Sequence, residues 1–165
     1  MLFHDMGKPV MKTTDENGRD HFKGHAIASE QIAKTVMKRL KFDNDTIRKV
    51  TKLVAYHDYR MEPTGANVRR AMHEIGVELF PYYLAVRLAD TKAQSSYERR
   101  GKLENIIQIR ELYRNALRNK ECVTLKDLAV TGTDLINLGI APGKELGTLL
   151  NELLDMVIED PAWNQ

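Results

Sequence analysis

The 165-residue chain carries one cysteine, Cys122. That excludes an internal disulfide framework and any zinc-finger spacing, and it makes a reducing cytoplasm the expected setting. No apolar run approaches the ~20 residues that a membrane span needs. The start does not read as a secretory signal, because Leu2-Phe3 is interrupted at once by His4 and Asp5. A formal net charge of +2 is too small to imply nucleic-acid or membrane binding by itself. Period-two alternation, internal repeats and low-complexity tracts are also missing. What is present is 42% hydrophobic and 29% charged, a globular composition in a chain long enough for one domain with a sizeable core and a small appendage.

The patterning predicts helices. Gly7 and Pro9 are expected to break whatever helix Leu2 and Phe3 are ending. Residues 8–23 lack helical periodicity, and Asp15-Glu16-Asn17-Gly18-Arg19-Asp20 reads as a turn, with Asn-Gly suited to a short hairpin. From Gly24 to about Lys41, Ala28, Ile32, Ala33, Val36 and Leu40 share a helical face that His25 begins. Asp43-Asn44-Asp45-Thr46 supplies cap residues for a second helix, whose stripe of Ile47, Val50 and Val54 continues to His57. Further helices are expected near 66–76, 78–94 and 102–119, a small one before Asn137, and a last one carrying Leu146, Leu149, Leu150, Leu153 and Val157. The expected fold class is therefore all-α.

Four places carry side chains with chemistry. His4-Asp5 sets an imidazole beside a carboxylate, both ready metal ligands. His25, His57 and Asp90 fall on faces that point inward, where an unpaired carboxylate such as Asp90 is costly. Each has a plainer explanation alone: a core histidine bonded to backbone, a carboxylate paired with Arg87 one turn earlier, or a helix-end aspartate. Together they form an adjacent His-Asp, two later histidines and a distant Asp, a pattern that resembles the HD superfamily of metal-dependent phosphohydrolases. The resemblance implies an HD-type helical bundle over 1–120 with a helical tail over 121–165. It also implies one or two divalent ions (Mn, Fe, Co, Ni, Zn or Mg), with His4, Asp5 and Asp90 serving the first and Asp5, His25 and His57 the second. Such ions neutralise phosphoryl oxygens and acidify a water. Asp5 is then the central catalytic ligand and Lys8 a point charge near a phosphate. Lys8 is equally readable as a solvated lysine, and Arg87 as either a substrate contact or a structural ion pair. His21 and His73 stay outside the set, one in the loop and one on a helix surface.

The superfamily places another histidine on a helix before the motif, and only Met1, Leu2 and Phe3 stand there. Either a naturally short protein lacks that ligand or the chain is a piece of a longer one. His4-Asp5-Met6-Gly7-Lys8-Pro9, the acidic turn, His21-Phe22-Lys23-Gly24-His25 and Arg87-Leu88-Ala89-Asp90 resemble the HD region of bacterial tRNA CCA-adding nucleotidyltransferases and related poly(A) polymerases. So do Leu125-Lys126-Asp127-Leu128-Ala129-Val130, Asp134-Leu135, Leu138-Gly139-Ile140, Pro142-Gly143-Lys144-Glu145-Leu146-Gly147 and Leu150-Asn151-Glu152-Leu153-Leu154. The family's nucleotide-adding head, a Gly-Ser followed by an Asp-x-Asp pair, has no counterpart, since Asp43-Asn44-Asp45 opens a helix and reads as a cap. The resemblance implies a phosphohydrolase acting on nucleotide or RNA-end phosphates. The alternative is a non-catalytic tRNA-binding body, in which backbone N–H groups at Gly143 and the Lys144 side chain hold an RNA phosphate. An ordinary turn with core leucines is the plainer reading of that tail. Partners are a phosphate-ester substrate, tRNA or other RNA, and no membrane.

Overall fold

Helix initiation chemistry accounts for most element boundaries. The computed structural model describes residues 2–165; Met1, one of the three residues ahead of the His-Asp pair, lies outside the described residues. Gly7 and Pro9 do not terminate a helix as expected but start one: α1 is Lys8–Met11, with Gly7 at its N-cap and Pro9 in its first turn. Proline is suited to that place, because the N–H it lacks would have no helical partner there. The acidic turn closes a hairpin of β1 (Thr13–Thr14) and β2 (Asp20–His21), antiparallel with Thr13 opposite His21.

α2 (His25–Arg39) follows Gly24, whose φ of 85° puts it in the left-handed region that glycine enters without strain. α3 (Asn44–Tyr56) begins at Asp43, whose carboxylate accepts the Thr46 N–H at 2.8 Å, as the cap residues predict. α4 (Gly65–Ile75) is capped by Thr64, and α5 spans Phe80–Ala93. After α6 (Arg99–Arg118) come a single turn at Leu125–Asp127 and α7 (Gly132–Asn137), which opens with a reciprocal Thr131–Asp134 capping box. α8 is Lys144–Glu159. The class is all-α with one two-stranded hairpin. Among the described residues no helix is long and apolar enough to cross a membrane.

The chain divides into two compact units that interleave in sequence. The first holds the residues up to Arg60 together with Glu78–Arg99, and the second holds Met61–Val77 with Arg100–Gln165. In the first, α2 and α3 form an antiparallel pair that α1 and α5 pack against. Ala33 and Met37 from α2, Ile47 and Val54 from α3, and Phe80, Tyr83 and Leu84 from α5 are buried there. In the second, α4 and α7 pack on α8. Cys122, Leu128, Leu154, Val157 and Ile158 form its apolar cluster.

Arg69 secures the end of α8 within the second unit. The residue is 7% exposed, and its guanidinium donates to the carbonyls of Ile158 at 2.7 Å and Glu159 at 3.0 Å and pairs with Glu121 at 2.8 Å. Helix-terminal carbonyls have no partner inside their own helix, so a planar donor fork satisfies them well. Replacing Arg69 by Met leaves Glu121 and two carbonyls unmatched. It should lower the unfolding free energy by about 3 kcal/mol, read as a shift in denaturant midpoint at unchanged slope.

Candidate metal centre

The site belongs to the first unit and begins with a close approach of backbone to helix. Gly7 donates its N–H to the buried Ser29 Oγ of α2 at 2.8 Å. A Cβ on Gly7 would lie 2.4 Å from the His25 carbonyl oxygen and 2.6 Å from the Ser29 nitrogen, so no other residue fits without moving the turn. This contact sets the His4-Asp5 turn beside the first turn of α2, where His25 stands. His57 arrives from the opposite strand of the helix pair, one residue past the end of α3, and is 3% exposed. Its inward direction agrees with the stripe it continues.

The two imidazoles are pinned in the same way. His25 Nδ1 lies 2.9 Å from the Phe22 carbonyl and His57 Nδ1 lies 2.7 Å from the Val54 carbonyl. A carbonyl only accepts, so each Nδ1–H donates, and Nε2 is then the atom of each ring that can offer a lone pair to a ligand. Those two Nε2 atoms are 3.1 Å apart, and Asp5 Oδ1 lies 3.5 Å from one and 3.6 Å from the other. Burial, with His25 and His4 nearby, holds the His57 pKa below its ordinary value despite the Val54 bond and Asp5. The two Nε2 atoms and a carboxylate oxygen thus converge on one point, an arrangement that a cation would satisfy. The ligand atoms of Asp5, His25 and His57 all lie within 4.8 Å of one another. Imidazole with carboxylate suits a first-row transition ion.

Asp5 divides its oxygens. Oδ2 faces His4 Nε2 at 3.2 Å and accepts from Lys8 Nζ at 2.6 Å, and the same His4 nitrogen is 3.9 Å from Asp90 Oδ1. Burial alone would raise the Asp5 pKa, but the Lys8 hydrogen bond and the charges of His4, Lys8 and His57 bring it below the usual carboxylate range. Asp5 Oδ1 thus meets His25 and His57, while Oδ2 faces His4, with Asp90 beyond that histidine. Asp5, His25, His57 and Asp90 open on a cleft of about 760 Å³ that Lys8 and Gln94 also line, with Tyr56, Lys23 and Arg60 at its wall.

Arg87 is engaged elsewhere in the same unit. Its Nη1 donates to the Tyr59 carbonyl at 2.8 Å and to Tyr83 Oη at 3.0 Å, while Tyr83 Oη donates to the same carbonyl at 2.7 Å. Arg87 thereby holds the turn after His57, and the Asp90 carboxylate takes its hydrogen bond from Gln94 Nε2 at 2.6 Å. Sequence reasoning missed Gln94, although it stands four residues beyond Asp90, the spacing at which helix neighbours meet. It also missed Ser29, four beyond His25. The Phe22 and Val54 carbonyls left no trace in the sequence, because backbone acceptors have no residue type. His21 bonds Asp15 at 2.9 Å and His73 bonds the Val123 carbonyl at 2.9 Å, so neither joins the set. Gly143 and Lys144 belong to the second unit, where Gly143 precedes α8 without a side-chain cap and Lys144 is exposed.

Addition of Co²⁺ or Zn²⁺ should raise the unfolding free energy, by about 2.7 kcal/mol when free metal is a hundredfold above Kd, and chelator should reverse the gain. His57→Ala and Asp5→Ala should abolish the shift. Gly7→Ala should weaken it at least tenfold in Kd, since it moves the turn that carries His4 and Asp5.

Residues 24–165 match the family described as tRNA nucleotidyltransferase domain 2, a stretch that includes His25, His57 and Asp90 and begins after His4-Asp5. The chain is also 29% identical over 164 residues to the CC-adding tRNA nucleotidyltransferase of Thermus thermophilus, covering 96% of this chain and 35% of that protein. It therefore spans about a third of the relative's length. No solved structure matches at the same level of significance. With most of its length matched, the chain belongs to the tRNA nucleotidyltransferase domain 2 family.

Proposed function

We propose that this chain acts as the helical, tRNA-engaging body of a tRNA nucleotidyltransferase-type protein, separate from the part that joins nucleotides. The observation that supports this is the match of residues 24–165 to the family's second domain. The relative's name records CC addition to tRNA, and the extension of tRNA to this chain is ours. The acidic pair that by letters could hold catalytic magnesium is committed to local structure. Asp43 caps Thr46, and Asp45 pairs with Arg48 at 2.8 Å and Lys49 at 2.6 Å. A tRNA transcript should be retarded by the chain at low salt, with affinity falling about a thousandfold between 50 and 200 mM if six or more phosphates are contacted. No incorporation of CTP or ATP should accompany it. Absence of retardation at low salt would discard this reading.

A second reading has its own observation, the two Nε2 atoms opposed at 3.1 Å with both Nδ1 groups committed to carbonyls. Here the first unit is an HD-type phosphohydrolase acting on nucleotide or RNA-end phosphates. His25, His57 and Asp5 Oδ1 would hold one divalent ion, and His4, Asp5 Oδ2 and Asp90 another. A bound ion of the Mn-to-Zn series, or Mg, supplies neutralisation of phosphoryl oxygens and a water of lowered pKa. The chain's own groups do the positioning: Lys8 steadies Asp5 and keeps a positive charge at the cleft, Gln94 orients Asp90, and the Phe22 and Val54 carbonyls fix the imidazole tautomers. Hydrolysis of 2′,3′-cyclic AMP or a chromogenic phosphodiester should appear with one of Mn, Co, Ni or Mg and fall more than a hundredfold in Asp5→Ala. Equal turnover by Asp5→Ala and the parent protein would end this second reading.

A further inference from the structure

The α2–α3 pair carries its histidines at one end and unpaired positive charge at the other. Lys34, Lys38, Arg39 and Lys41 occupy the last turns of α2 and the corner after it, and all four are exposed. Among the described residues none of them has a carboxylate within ion-pair distance, Glu30 one turn before Lys34 included; Asp43 serves as a cap and Asp45 is held by Arg48 and Lys49. Between His25 and Tyr56 seven basic side chains face three acidic ones, whereas positive and negative charges balance over the rest of that unit.

The corner is also rigid. Leu40 donates its N–H to Val36 at 2.9 Å, Lys41 to Lys38 at 3.0 Å, and Phe42 to Met37 at 3.1 Å. Lys41 sits at φ 59°, a left-handed position at the end of a helix that ordinarily goes to glycine. Here it presents a cation, with Leu40 (58% exposed) and Phe42 (49% exposed) on either side. The helix dipole accounts for a cation in the last turn but not for Lys34 further back or for an exposed ring at the corner.

We propose that this corner is a docking surface for the sugar–phosphate backbone of RNA. Cations three and four residues apart on a helix stand about 5–6 Å from one another, a spacing that can follow consecutive phosphates of a strand. Phe42 offers a face to an unstacked base, the combination of basic groove and aromatic platform used for single strands. An anionic membrane fits less well, because the apolar side of α2 is turned into the core through Ala33 and Met37. Only Leu40 and Phe42 remain at the corner for an acyl layer, far short of an interfacial helix face. The helix rise places this corner about 20 Å along α2 from His25, so a bound strand could run toward the cleft. The inference rests on the tRNA-engaging reading and adds the surface that makes the contact.

The test is a fluorescence-polarisation titration of a labelled tRNA transcript at several salt concentrations. The Lys38→Gln/Arg39→Gln/Lys41→Gln variant should bind about tenfold more weakly near 100 mM salt, with the slope of log K against log salt reduced by two to three. Phe42→Ser should weaken binding to a single-stranded oligonucleotide without changing that slope. Should the triple variant lose its helical circular dichroism, Lys34→Gln/Lys41→Gln carries the same expectation at about half the slope change. A parent that binds tRNA and a folded variant with unchanged Kd and slope would overturn this inference while the tRNA reading stands. A parent that binds no tRNA removes both. If the parent sediments with phosphatidylserine vesicles and the variant loses only that, the surface is for lipid and the RNA assignment is overturned.

Discussion

The hydrogen bond from Gly7 N–H to Ser29 Oγ, and the lack of room around Gly7, is the constraint on which the site depends. His4 and Asp5 lie in a turn rather than on a helix, and the backbone bonds from Met6 to Phe3 and from Lys8 to Asp5 close that turn without tying it to α2. The glycine lets that turn lie against α2 closer than a Cβ would permit, and the buried serine oxygen fixes the approach. Pro9, already at a helical φ, carries the chain from this contact into α1 and away from the cleft.

Once the turn is seated, the electrostatics follow from few atoms. Asp5 has two oxygens, one facing His25 and His57 and the other facing His4 and Lys8. Lys8 offsets part of the carboxylate charge on the side away from His25 and His57. Backbone carbonyls hold Nδ1 of both rings, which turns both Nε2 atoms inward. Arg87 acts one layer further out, holding the Tyr59 carbonyl so that the turn containing His57 cannot drift.

Much of this was legible. His57 followed the stripe of Ile47, Val50 and Val54, and a polar residue that continues an apolar stripe must be buried with a reason. The Asp43 and Thr64 caps put α3 and α4 where the periodicity predicts. Two expectations failed, each for its own reason. Gly7 and Pro9 were expected to break structure because both are helix breakers in a helix interior, whereas at the first turn they begin one. Arg87 was matched to Asp90 by spacing along α5, but the Tyr59 carbonyl, distant in sequence, competes for it and wins. The interleaving of Met61–Val77 with Arg100–Gln165 likewise has no marker in the sequence, since it depends on α4 meeting α8 across some ninety residues, as the Arg69–Glu159 bond spans them.

By itself the sequence determined the all-α class, the helices from α2 onward and which residues have the chemistry of candidate ligands, because periodicity, caps and residue chemistry are local properties. Only the tertiary structure decided that Asp5, His25 and His57 meet, that the second Asp5 oxygen faces His4 with Asp90 beyond it, and that, among the described residues, the four cations at the α2–α3 corner have no carboxylate within ion-pair distance. Those are distances between groups far apart in the chain. They depend on how closely one backbone can approach another, and a sequence read in one dimension does not contain that quantity.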